Sequence, residues 1–225
     1  MKPIGIAIDG PSGAGKSTIA KIISKEIGFI YIDTGAMYRA VGLKTIQAKI
    51  ESLDAIAVGA LLQNISIDIV QLDDVQKIFL DGKDVSEEIR TPEVSIAASN
   101  VATIPAVRIR LVDLQRKLAE KQNVIMDGRD IATYVLPNAD LKIFLTATVE
   151  DRARRRYEEL LEKKIDCTFE EVKKDMEYRD KNDSSRDFAP LKIDSGAIVV
   201  DTTGFSLKQS IETIKKLIYE KLELV

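Results

Sequence analysis

Residues 10–17 read Gly-Pro-Ser-Gly-Ala-Gly-Lys-Ser, and Thr18 follows. The run fits G-x-x-x-x-G-K-[ST] at every fixed position, between an apolar run and a helical pattern. Its glycines let backbone N–H groups turn inward on a polyphosphate, and a helix starting there adds partial positive charge. Lys16 is placed to pair with β- and γ-phosphate oxygens, and Ser17 to offer a hydroxyl to Mg²⁺. A plain Gly/Ser turn is the alternative, and four fixed letters in the right context weigh against it. Gly10, Pro11, Ser12, Gly13, Ala14, Gly15, Lys16, Ser17 and Thr18 are therefore read as an ATP-type phosphate site. The loop alone does not say what the triphosphate is used for. No Asn-Lys-x-Asp is present to read a guanine. Asp201-Thr-Thr-Gly204 has the letters of a GTPase switch but lies at the last strand, where it reads as a turn into a helix capped near Ser206.

A second set of residues is cationic. Phosphoryl transfer to a phosphorylated acceptor brings two polyanions together, so cations must lie between and around them. Arginine suits this because its planar fork grips phosphate oxygens in pairs. Arg39 follows the second strand, Arg108 lies in a later helix, and Arg129 directly follows the strand 123–127. Arg152, Arg154, Arg155 and Arg156 crowd the start of one helix. On a helix running 168–187, Arg179, Asp183 and Arg186 would share one face within roughly 60°. For each helical set the plain alternative is a solvated charged face.

Asp33-Thr34-Gly35 after an apolar run also has the letters of an aspartic protease. Such an enzyme needs two aspartates, and the motif occurs once here. Asp33 is instead read as a strand-end residue that shapes the following loop.

The chain has no histidine, which removes histidine bases, histidine zinc sites and the Ser-His-Asp triad. The 225 residues are 45% hydrophobic and 31% charged, enough for one substantial domain with an inserted subdomain. A net charge of −3 argues against general nucleic-acid binding. The single cysteine, Cys167, fits a reducing compartment, and neither a signal peptide nor a membrane span is evident, so the cytoplasm is expected.

The elements that must position these residues alternate. Buried strands are expected at 4–9, 29–32, 123–127, 141–147 and 197–201, with helices between them. Short strands at 65–70 and 75–85, the second with an Asp-Gly turn at 81–82, break the pattern and mark an insertion. Apolar strands alternating with helices predict an α/β fold with a parallel sheet covered on both faces. Ligands then bind beyond the carboxyl ends of the strands. Those ends carry Asp9-Gly10, Asp33-Thr34-Gly35, Asp127-Gly128-Arg129-Asp130 and Asp201.

The blocks IDGPSGAGKST, DTGAMYR, VSEEIRTPEV, VIMDGRDIATYVLPNADLKIFL and RD..D..R..APL run in order from residue 8 to residue 192. Together they resemble the bacterial cytidylate kinases, nucleoside-monophosphate kinases acting on CMP and dCMP. The resemblance implies a phosphate-loop kinase core with a five-stranded parallel sheet (1–39 and 101–225), a monophosphate-binding insertion at 40–100 and a short lid at 152–166. It also implies roles. Arg39, Arg129 and Arg186 would hold the CMP phosphate. Ser99, Arg108 and Asp130 would face cytosine, Thr34 would help position the nucleotide, and Arg179 with Asp183 would contact the sugar. Lys16, Arg155 and Arg156 would be catalytic, with Mg²⁺ arriving on ATP near Ser17. The implied partners are ATP and CMP or dCMP, with no nucleic acid or membrane, for an enzyme expected to act as a monomer. A carboxylate accepting from cytosine N4 would meet a lone pair on uracil O4, which gives Asp130 a reason to discriminate. Rival readings are a kinase for UMP, AMP or a non-nucleotide acid, and a nucleotide-binding regulator without an acceptor. Ala132 and Asn138 depart from the family's usual glycine and aspartate, and no role is carried onto them.

Overall fold

The computed structural model describes residues 2–72 and 75–223. A central sheet of five strands is formed by β1 (Gly5–Asp9), β2 (Ile30–Asp33), β6 (Val124–Gly128), β7 (Leu141–Thr146) and β8 (Ile198–Asp201). Their order is β2-β6-β1-β7-β8, and every pairing is parallel. The register sets Asp9 beside Gly128 and Asp33 beside Asp127, so three strand-end motifs open onto one edge.

Alternation along β1 explains the layers. Ile6 and Ile8 pack with Ile19 and Ile23 of α1 (Lys16–Ile27) and Ile214 and Ile218 of α8 (Leu207–Leu222). Ala7 faces the other way, against Val112 of α5 (Pro105–Ala119) and Ile131 and Val135 of a π turn at Ile131–Val135. Each face buries an apolar layer, as a parallel sheet requires.

The chain between β2 and β6 forms a third cluster. It is built from α2 (Thr34–Gln47), α3 (Ala55–Leu62), α4 (Pro92–Val101) and a small antiparallel sheet of β3 (Ile67–Leu72), β4 (Val75–Leu80) and β5 (Lys83–Asp84). The Asp81-Gly82 turn has φ of 51° and 79°, the left-handed pair that a tight hairpin demands. Gln76 of β4 exchanges hydrogen bonds with the Asp33 backbone, at 2.9 and 3.3 Å, and ties the small sheet to β2.

The helix boundaries follow local chemistry. Gly28 ends α1 in the left-handed conformation at φ 73°. Pro92 and Pro105 open α4 and α5. Full capping boxes start α7 (Phe169–Ser185) and α8 at Thr168 and Ser206. The helix read as 168–187 ends at Ser185, and Arg186 is extended at φ −66°, ψ 143°. Arg186 thus leaves the face shared by Arg179 and Asp183 and turns its Nε to the Ala189 carbonyl, 2.8 Å away. Among the described residues no helix is long and apolar enough to cross a membrane.

Candidate active site

The phosphate loop joins β1 to α1 and is shaped by close approach. Gly10 has φ 149°, and a Cβ there would lie 1.9 Å from the Leu145 carbonyl oxygen, so no other residue fits. Lys16 is buried and donates to the carbonyls of Gly10 and Pro11, both at 2.7 Å. Burial, then Arg129, push its ammonium well below the usual lysine range.

Two carboxylates stand behind the loop. Asp9 accepts from the N–H groups of Ile131 and Ala132, at 2.8 and 2.7 Å, and so ties the loop's base to the segment after Arg129-Asp130. Ala132 is not among the positive-φ residues, which is why a methyl is tolerated in its place. Asp127 accepts from Ser17 Oγ at 2.8 Å and from the Tyr31 hydroxyl at 2.9 Å. Burial pushes both carboxyls up to about 6, with neighbouring Asp33 adding to the rise at Asp127. In the sequence both aspartates are visible only as strand-end residues, with no role attached. The missing signal was the reach from Asp127 to Ser17, 110 positions away.

Opposite the loop, one charged network links α2, α5, β6 and α7. Arg108 pairs with Asp130, both buried, and Arg186 lies 3.6 Å from Asp130 and 3.5 Å from Asp183. The Nε of Arg129 donates to Asp183 at 2.6 Å. Asp33 caps α2 by accepting from the Ala36 N–H and lies 4.0 Å from Arg39 and 3.1 Å from Arg90. Arg90, from a short 3₁₀ turn at Glu88–Arg90, lies inside the block VSEEIRTPEV, but its pairing with Asp33, 57 positions away, leaves no local signal of a role. Thr34 Oγ1 donates to the Asp127 carbonyl at 2.7 Å, and Ser99 Oγ accepts from Asn182 at 3.2 Å. Burial, then Arg39 and Arg129, push the Arg179 guanidinium well below the usual arginine range.

Both sets line one cavity of about 810 Å³, the size range of small-molecule sites. The residues given a binding or catalytic role from the sequence line it except Gly10 and Pro11, whose carbonyls hold Lys16 instead, and of the cationic cluster Arg152 and Arg154 stand outside it. Arg155 and Arg156 lie on the cavity wall, on α6 (Val149–Glu162). Arg155 donates to the Thr202 carbonyl at 2.7 Å, and Arg156 pairs with Glu159 at 2.8 Å.

A phosphate loop facing an arginine-rich acceptor cavity is what transfer between two phosphorylated molecules needs. The sequence pattern described as cytidylate kinase matches residues 6–220. The chain belongs to the cytidylate kinase family. The cytidylate kinase of Caldicellulosiruptor bescii is 51% identical over 98% of this chain and 97% of its own. That of Caldanaerobacter subterraneus subsp. tengcongensis is 51% identical over 95% and 93%. Among solved structures, a Eubacterium ventriosum protein shares the fold at TM-score 0.53, with 18% identity over 97% of this chain and 99% of that one. As a cytidylate kinase family member, the chain is an ATP-dependent nucleoside-monophosphate kinase.

Proposed function

We propose that this kinase transfers the γ-phosphoryl group of ATP to CMP and dCMP. The observation that carries this reading is the buried Arg108–Asp130 pair, a donor and an acceptor held side by side at the far end of the arginine cavity. Cytosine presents an amino donor at N4 and acceptors at N3 and O2, so both partners would be used. Uracil at the same position would leave a buried carboxylate facing a lone pair.

Arg39, Arg129 and Arg186 would hold the acceptor phosphate, with Arg179 and Asp183 at the sugar and Thr34 and Ser99 fixing the nucleotide's pose. The acceptor phosphate is already ionised, so attack needs no general base, consistent with a chain lacking histidine. Residues 40–100 would act as the acceptor-binding subdomain and 152–166 as a lid that excludes water, which brings Arg155 and Arg156 to the transferred group. In that case Arg155 must leave Thr202.

Ser17 and Asp127 are the donors that suit Mg²⁺. Among the described residues no group of three or more carboxylate, histidine or cysteine side chains could hold a metal. One hydroxyl and one carboxylate suit a cation carried in on the triphosphate. Bound there, Mg²⁺ would neutralise charge on the β- and γ-phosphates.

Steady-state kinetics with ATP, Mg²⁺ and a panel of monophosphates test the reading. CMP and dCMP are expected to exceed UMP and AMP in kcat/KM by at least about 100-fold. Equal rates with UMP would refute the base assignment. Arg129→Ala is expected to cripple turnover with ATP binding largely retained, and normal turnover there would sink the phosphate assignment.

A further inference from the structure

Arg152, unlike Arg155 and Arg156 of the same cluster, does not line the cavity, and it is almost fully buried. Its guanidinium joins three segments. Nη1 donates to the carbonyl of Ser12 in the phosphate loop at 2.8 Å, and Nε donates to the carbonyl of Ala147, just past β7, at 2.9 Å. Nη2 pairs with Asp180 of α7 at 2.7 Å. The loop also rests directly on these helices. A Cβ added to Gly13 would lie 2.8 Å from Met176 Cε and 3.2 Å from Arg152 Cβ.

Asp180 is placed to pass position along. Arg179 precedes it and lines the cavity, while Asp183, one turn on, grips Arg129 at 2.6 Å. Thus α7 is fastened at one turn to the donor loop and at the next to the acceptor arginines. Only a forked cation reaches a loop carbonyl and a helix carboxylate at once.

We propose that Arg152 is a positioning residue that couples the phosphate loop to α7, so that donor and acceptor bind interdependently. The proposal rests on the reading that α7 faces the monophosphate. A ligand that draws the loop inward moves Ser12, and through Arg152 it moves Asp180 and the two acceptor-facing residues beside it. Distance between two substrates governs transfer steeply, so slack in this link is expected to appear in kcat as well as in binding.

The plain alternative is a buried ion pair that only stabilises α7, and the test separates the two. Calorimetry measures CMP affinity with and without a non-hydrolysable ATP analogue and Mg²⁺, in the wild type, Asp180→Ala, Asp180→Asn and Arg152→Lys. Asp180 is only partly buried, so its variants are expected to fold even where an Arg152 variant does not. The wild type is expected to show mutual enhancement of about fivefold or more. Asp180→Ala and Arg152→Lys are expected to bring the enhancement close to one and to lower kcat at least about tenfold, whereas Asp180→Asn, which keeps an acceptor for Nη2, retains part of both. Variants that lose only thermal stability and keep the wild-type enhancement overturn the proposal, as does a wild type that binds both ligands independently. A wild type that fails to bind CMP overturns the acceptor reading and the proposal with it.

Discussion

Asp127 concentrates the conflict between stability and use at the scale of one residue. It is buried at the end of β6, accepts from Ser17 and Tyr31, and has Asp33 for a neighbour. Its carboxyl is pushed up to about 6 from an ordinary 3.8. A raised folded value means the native state favours the protonated form. The stability this contributes is fully present below about pH 4 and is lost as pH rises through about 6. At neutral pH the protein therefore holds a carboxylate it would be more stable without. Asp127→Asn keeps the shape, and its amide can still donate to a hydroxyl that now accepts. The variant is expected to melt a few degrees above wild type at pH 8, with the gain vanishing near pH 4.5, while Mg²⁺-dependent turnover falls at least about 100-fold. Melting curves at the two pH values check the sign, and a variant less stable than wild type at pH 8 would show that the charge is not a burden. This role was not legible in the sequence. The position at a strand end was visible, but its partners lie 110 and 96 residues away, and only the sheet order brings them together.

At the scale of elements, α2 and α4 form the acceptor wall, and one glycine sets their spacing. A Cβ on Gly42 would lie 2.8 Å from the Ala98 backbone nitrogen and 3.0 Å from the Ala97 carbonyl carbon. Backbone atoms cannot rotate away, so the helices must separate. Gly42→Ala would ordinarily favour a helix interior by about 0.5–1 kcal/mol. Here overpacking of about 1–3 kcal/mol outweighs that gain. The variant is expected to melt several degrees lower, and because Ser99 rides on α4, to raise KM for the acceptor several-fold while KM for ATP holds. Equal changes in both KM values would show that the wall does not serve the acceptor alone. The elements themselves were readable because each rests on local chemistry: apolar runs, proline starts, capping residues, an Asp-Gly turn. What escaped was set by contact across the fold. Arg152 reads as one charge on a solvated face until α7 and the phosphate loop close over it. The π turn at 131–135 depends on Asp9 accepting from two of its N–H groups. Arg186 continues a helical spacing but leaves the helix to reach the Ala189 carbonyl.

Across the whole molecule, an acidic protein with net charge −3 encloses a cavity where cations outnumber carboxylates. Arg179 lies among Arg39, Arg129 and Arg156, with Asp183 offsetting only part of their repulsion. Guanidinium groups stay charged in proteins, so the free protein carries the repulsion as lost stability and a bound dianion relieves it. The same arrangement favours anions over the rest of the acidic surface and focuses the field into the cleft. Two consequences can be measured together. Sulfate is expected to raise the melting temperature by several degrees more than chloride at matched ionic strength, because it occupies the cluster rather than merely screening it. Arg179→Gln removes one cation from the crowd. In the absence of ligand it is expected to melt at or above the wild-type temperature, while the rise produced by CMP shrinks to less than half. A variant that melts lower without ligand would mean that attraction to Asp183 outweighs the repulsion. A variant with an undiminished CMP response would remove Arg179 from the acceptor site. The two readouts separate the residue's cost to the fold from its use by the ligand, and the cationic cavity requires both to change in the stated directions.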